Sequence, residues 1–169
     1  MSTCIIVIDT SYLLELFAVP EFCDEISVAE VKRRFKGAVQ QKAIMYVPLP
    51  CLFELANHIA DVRDGTRRKS LADSLVSTVE SCASDGAPWL ITPFDVIDTF
   101  PKLCRAFAGD YVSMGIGLTD TFTIREALRL KKKYNGPLYR VHIWTKHRTL
   151  KAYEPDTEPE AFLGGMSSS

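Results

Sequence analysis

The chain has 169 residues, 47% of them hydrophobic and 24% charged, with a net charge of −1. That is the make-up of one ordinary globular domain with enough chain to bury a full core. No apolar run approaches the roughly 20 residues a membrane crossing needs, and none at the start has the form of a signal peptide, so a soluble, cytoplasmic protein with no membrane partner is expected. Five scattered cysteines without a CxxC pair indicate reduced thiols rather than a zinc site.

In chain order, residues 4–9 predict a fully buried strand, a short Ile/Val run stopped by Asp9, Thr10 and Ser11. Asp9 or Thr10 caps a short helix from Tyr12 to Ala18 that Pro20 ends. Residues 24–41 carry Ile26, Val28, Val31, Phe35 and Val39 among charges, an amphipathic helical pattern. A second strand follows at 43–48. Pro50 then suits the first turn of a helix over 51–63 with Leu52, Leu55, Ala56 and Ile59 on its apolar face. Another helix is predicted over 65–84, a third strand over 88–93, and a helical stretch over 94–107 with Pro101 as its kink or break. The segment 115–136 predicts a helix beginning near Thr119 and ending at Asn135-Gly136, and 138–144 the last strand. A domain over 1–153 is then followed by a tail, 154–169, rich in Pro, Glu, Gly and Ser and expected to be mobile unless a partner fixes it.

Strands alternating with helices predict an α/β fold with a parallel sheet covered on both faces, whose functional crevice lies beyond the carboxyl ends of the strands. Three acids map to that rim. Asp9 ends the first strand, Glu54 lies in the first turn of the helix after the second, and Asp120 starts the helix before the fourth. Each also has a structural explanation, Asp9 and Asp120 as N-caps and Glu54 as a favourable charge on a helix dipole. Thr123 and Glu126 offer a capping box of their own nearby. Together, however, three carboxylates repel unless a cation neutralises them, and hard oxygen ligands select Mg²⁺ or Mn²⁺. Basic clusters at Lys32-Arg33-Arg34, Arg67-Arg68-Lys69, Lys131-Lys132-Lys133 and Lys146-His147-Arg148 offer local attraction for a polyanion, although each also reads as a solvated helix face. His58, one turn after Glu54, reads as a partly exposed helical histidine paired loosely with that acid, and Trp89 and Trp144 read as core.

Four segments carry a family resemblance. "IIVIDTSYLLELF", "VPLPCLFELANHI", "GIGLTDTFTIREALRLKKKY" and "VHIWTKHRTL" resemble, in order over about residues 4–150, the successive elements of PIN-domain nucleases. The resemblance implies a three-layer sandwich around a parallel sheet of four or five strands, and Mg²⁺- or Mn²⁺-dependent hydrolysis of RNA. It makes Asp9, Glu54 and Asp120 the catalytic acids, with Asp9 and Asp120 holding the metal. Thr10, Ser11 and Thr145 become hydroxyls that orient a carboxylate or a water, and Lys146, Arg148, Arg67 and Arg68 contacts to the RNA backbone. The VapC-type toxins of toxin–antitoxin pairs are the similar small single-domain proteins, which would imply a homodimer and a protein antitoxin.

The fourth segment departs from the pattern at His147, where an Asp is looked for. Three readings stand open. His147 contacts the phosphate or acts as general acid beside a one-metal site; or catalysis is lost and an RNA-binding or scaffold module remains; or His147 merely begins a short surface helix. A nucleotide-binding crevice on the same sheet is a further alternative.

Overall fold

The innermost apolar run, β1 (Thr3–Ile8), is continuous because both of its faces are covered: Ile6 and Ile8 enter one core layer, Ile5 and Val7 the other, all four essentially inaccessible to water. The computed structural model describes residues 2–93 and 95–165. After β1 come α1 (Thr10–Leu16), α2 (Glu25–Gln40), β2 (Ile44–Pro48), α3 (Leu49–Ala60), α4 (Gly65–Asp85) and β3 (Leu90–Thr92). They are followed by α5 (Phe100–Ala106), α6 (Leu118–Lys133), β4 (Tyr139–Trp144) and α7 (Arg148–Lys151). The four strands form one all-parallel sheet in the order β3-β2-β1-β4, with Ile5 paired to Ile44 on one side and to Val141 on the other. The core layer of Ile6 and Ile8 is closed by α1 to α4, that of Ile5 and Val7 by α5 to α7, giving a three-layer α/β sandwich.

Several elements differ in detail from the sequence reading. On α2 the buried residues are Ser27, Val31, Arg34 and Ala38, while Ile26 and Val39 are exposed. Arg34 goes inside because its guanidinium finds Tyr12 Oη (3.2 Å), the Ala161 carbonyl (2.6 Å) and Glu30 (2.8 Å). Ala56 lies on the exposed side of α3, leaving Leu52, Leu55 and Ile59 to face the core. The stretch expected to be helical over 94–107 begins at Phe94, outside the described residues, and is helical only from Phe100. Pro101 is therefore in the first turn of α5, where its missing N–H costs nothing, and kinks no helix. A π turn and a 3-10 turn then lead to Gly115, whose φ of 72° suits glycine. The cap of α6 is Gly117, so Thr123 lies inside the helix, with its hydroxyl donating to the Thr119 carbonyl (3.2 Å).

The largest correction concerns the tail. Residues 154–165 form a strap along β4, the edge strand of the sheet. Glu154 and Asp156 accept from the Ile143 and Val141 N–H groups (2.8 Å each), and Asp156 N donates to the Val141 carbonyl (3.2 Å). Glu158 accepts from Trp144 Nε1 (2.7 Å), Glu160 pairs with Arg33 (2.6 Å), and Leu163 is buried among the side chains of the α1–α4 layer. The strap supplies carboxylate oxygens where an edge strand leaves N–H groups open. Residues 166–169 of the expected tail lie outside the described residues.

Candidate functional site

All four strands point their carboxyl ends to one rim, and α6, running back against them, brings its N-terminus to the same rim. Asp9 is the N-cap of α1 and is 1% exposed. Its Oδ2 accepts from Ser11 Oγ (2.7 Å), Ser11 N (3.3 Å) and Thr145 Oγ1 (3.0 Å). No group among the described residues hydrogen-bonds Oδ1. Ser11 and Thr145 thus fix the carboxylate in one orientation, as a hydroxyl pair at this address is expected to do.

Glu54 is in the second turn of α3, not the first, because the helix begins at Leu49. It accepts from Thr10 Oγ1 at 2.8 Å, so α1 and α3 are tied together at the rim through this acid. Asp120 is in the first turn of α6, half-buried, and its carboxyl reaches back to the Gly117 N–H. Burial, followed by the negative charges of Asp9 and, more weakly, Glu54, pushes the Asp120 carboxyl up to about 6. The nearby His147 works in the opposite direction. Asp9, Glu54 and Asp120 are therefore one electrostatic cluster. Cys51, fully buried beneath them, feels the same acids and is held well above the usual thiol range by burial and by Asp9.

His147 caps α7 without a side-chain cap bond and is mostly exposed, with Nδ1 4.0 Å from Asp9 Oδ2. It both begins a short surface helix and faces the acids. Among the described residues, no group of three or more His, Cys, Asp or Glu is arranged to hold a metal ion. A Mg²⁺ ion, however, is commonly held by one or two carboxylates and completes its octahedron with water. The open Oδ1 of Asp9 and the carboxyl of Asp120, which pairs with no lysine or arginine among the described residues, fit that lesser demand.

The four cations expected to grip RNA do not converge here. Lys146 turns away from the rim and is locked by Glu15 (2.5 Å), Asp24 (3.0 Å) and Ser27 (3.1 Å), while its backbone N–H donates to Ser11 Oγ (2.9 Å). Lys146 is thus an anchor for the loop that carries Thr145 and His147. Its attraction to Glu15, an acid only 1% exposed, explains why a residue in a basic run is withdrawn from solvent. Arg148 lies over the Phe162 ring, 5.6 Å from its centroid. Arg67 and Arg68 open α4, touching the carbonyls of Ala18, just past α1, and Ala60, the last residue of α3. At 1.5 Å per residue, Ala60 is about 9 Å along α3 from Glu54, and the last residue of α1, Leu16, is about 10 Å from Asp9. His58 makes no bond to Glu54. Its ring packs on Phe22 at 4.4 Å, and its Nδ1 is buried without a partner among the described residues.

Sequence reasoning missed Phe53, 61% exposed beside Glu54, and Arg125 on the outer face of α6, and it named Lys132 only as part of a basic run. The signal for Phe53 was its place off the apolar stripe of α3. No family model matches the chain, and no curated protein matches it.

Proposed function

We propose that the chain is a metal-dependent endoribonuclease whose site is the rim of Asp9, Glu54 and Asp120. The observation that carries the reading is the Asp120 carboxyl, pushed up to about 6 by burial beside two further acids, with no lysine or arginine paired to any of the three among the described residues. Such a cluster is costly unless a cation joins it.

In this reading Asp9 and Asp120 would hold one Mg²⁺ or Mn²⁺. When bound, the ion supplies Lewis acidity toward a phosphoryl oxygen and makes water a better nucleophile. Ser11 and Thr145 keep Asp9 from rotating, and Thr10 aims Glu54. Glu54 accepts the proton of the attacking water, and His147, whose Nδ1 is 4.0 Å from Asp9 Oδ2, donates to the leaving oxygen or to the phosphate. Lys146 keeps His147 and Thr145 in place through Glu15 and Asp24. The toxin setting, with an antitoxin and a homodimer, rests on the family resemblance.

A second reading, an inactive PIN-like RNA-binding or scaffold module, is favoured by two observations: His147 stands where a fourth acid is looked for, and no three-ligand cage is present among the described residues. Cleavage of a mixed RNA pool separates the two readings. The nuclease requires cleavage with Mn²⁺ or Mg²⁺, none with EDTA, and loss of at least 100-fold in Asp120→Asn. Absence of metal-dependent cleavage in the parent, with RNA still bound, would establish the inactive module.

A further inference from the structure

A groove runs from the acidic rim down the outer side of α6, and its two ends differ in chemistry. At the rim it is an apolar pocket of about 200 Å³ lined by Phe53, Phe100, Leu103 and Leu118, with Thr119 at its edge. Phe53 precedes Glu54 on α3 and Thr119 precedes Asp120 on α6, so the pocket lies on the same helix turns that carry two of the three site acids. Leu103 also lines the next cavity, about 330 Å³, whose other walls include Thr99, Arg125, Arg129 and Lys132. The two hollows therefore adjoin at Leu103, one after the other beside α5 and α6.

The cations along this path fall at i, i+4 and i+7 of α6, hence on one helix face. Arg129 is committed to Glu126 through two hydrogen bonds, 2.8 and 2.7 Å. Arg125 and Lys132 are exposed and make no ion pair or hydrogen bond among the described residues. They are separated by about 10 Å along the axis. This contrasts with Lys146, Arg148, Arg67 and Arg68, which are engaged elsewhere in the fold.

Aromatic surface followed by unengaged cations is the arrangement that holds a single nucleic-acid strand, whose bases stack while its phosphates are neutralised. A double helix keeps its bases inside and would leave Phe53 nothing to stack on. We propose that this groove is the track of single-stranded RNA, a base seated on Phe53 beside the site acids and the following phosphates held by Arg125 and Lys132. The proposal rests on the nuclease reading for the identity of its ligand, and its test does not depend on cleavage.

The probe is a short fluorescein-labelled, mixed-sequence single-stranded RNA, titrated in EDTA at several salt concentrations against the full chain, Arg125→Glu/Lys132→Glu and Phe53→Ala. All three substituted side chains are exposed, and thermal melting checks that each variant is folded. The charge reversal is expected to weaken binding at least 10-fold and to flatten the slope of log affinity against log salt by about 1.4, near 0.7 for each phosphate that is no longer neutralised. Phe53→Ala is expected to weaken binding about 5- to 100-fold with the salt slope unchanged. Parent affinity in both variants, equal binding of a duplex, or no RNA binding by the parent at low salt would overturn the track. If the groove variants lose RNA and the parent still cleaves nothing with Mn²⁺, the track stands and the nuclease reading fails. If cleavage requires Asp120 while the groove variants bind as the parent does, the reverse holds. A parent that dimerises through Phe53 instead, seen as a monomer in Phe53→Ala by sedimentation with RNA affinity unchanged, would assign the apolar end to a second copy and overturn the proposal.

Discussion

The strap and the rim each gather carboxylates, and the fold treats them in opposite ways. Along the strap, Glu154 meets Lys151 and the His142 ring, Asp156 meets Lys131, Glu158 meets Lys151, and Glu160 meets Arg33. Burial favours the neutral acid at Glu154 and Asp156, yet His142 and Lys151 around the first, and Lys131 with the Val141 N–H around the second, outweigh it and hold both below the usual range. The His142 imidazole responds in kind: burial opposes its charge, but contact with Cys4 and Glu154 outweighs that and pushes it up to about 10. At the rim nothing of the sort happens. Asp9 and Glu54 receive neutral hydroxyls, and Asp120 is pushed up by burial and by its neighbours. A protein able to match every strap acid with a cation has left the rim acids without one, which is what a site awaiting a cation requires.

The contrast is broken most severely by removing the strap. Truncation after Tyr153 deletes Leu163, which is 1% exposed, together with the carboxylates that bond the Val141 and Ile143 N–H groups. A buried Leu alone is worth about 2–3 kcal/mol, and the unpaired N–H groups, with Lys131 and Lys151 left without their carboxylate partners, add to that. The loss is expected to exceed about 4 kcal/mol, a large part of the stability of an ordinary domain. Urea denaturation measures it, and sedimentation should show self-association through the bared β4 edge. A truncated chain as stable and as monomeric as the parent would reduce the strap to decoration.

Asp120→Asn tests the other half. Because the folded carboxyl sits at about 6, above its unfolded value of 3.8, the ionised acid destabilises the fold, and the penalty grows as pH rises from about 4 through 6. Two pK units correspond to roughly 3 kcal/mol, and solvent screening of a half-buried group reduces this to about 1–2 kcal/mol. The variant should therefore be more stable than the metal-free parent by that amount at pH 7.5 and nearly equal to it at pH 4. Saturating Mn²⁺ should raise the parent by about 2–3 kcal/mol at 100-fold over Kd and leave the variant almost unmoved. The strap acids predict the opposite sign. Their contribution is complete above about pH 4 and is lost as pH falls below it. A stability difference between parent and variant that does not change with pH would show that Asp120 is not electrostatically strained.

A smaller effect is expected at Thr145, which donates to Asp9 Oδ2 and accepts the His147 N–H, each at 3.0 Å. Thr145→Val should cost about 1–2 kcal/mol, since it leaves a buried carboxylate one donor short. Cleavage should fall with it, because Asp9 gains freedom to rotate. Stability lost without any fall in metal affinity or cleavage would make Thr145 a purely structural residue.

What the sequence made legible follows from how local each cause is. β1 could be read because a strand covered on both faces must be apolar throughout, and Asp9 because a cap lies next to the helix it caps. Arg34 could not be read, since its burial depends on Tyr12 and on the Ala161 carbonyl, 22 and 127 residues away along the chain. The strap could not either: Pro, Glu and Gly in a row have the composition of a loose tail, and only the open edge of β4 turns Glu154 and Asp156 into bonding partners. Lys146 misleads for the same reason. A basic residue at the rim is attracted to phosphate only if no buried acid claims it, and Glu15, 131 residues distant, does. Asp9, Glu54 and Asp120, by contrast, were placed by strand-end geometry, which parallel topology fixes for every strand at once.

The finest test of the comparison is His147→Asp, which adds a fourth acid to the rim. The side chain is mostly exposed, so solvent screens the added charge, and the metal-free protein should lose less than about 1 kcal/mol at pH 7.5. The larger change belongs to the cation. Replacing the His147 ring with a carboxylate, a new oxygen ligand near Asp9, should tighten Mn²⁺ binding or add a second binding event, seen by calorimetric titration. Tighter binding with slower cleavage would mean that His147 works in the chemistry and not in holding the ion, since the variant would have gained a ligand and lost a proton donor. Unchanged stoichiometry and affinity would mean that position 147 faces the solvent rather than the acids, and the rim would then have to bind its cation through Asp9 and Asp120 alone.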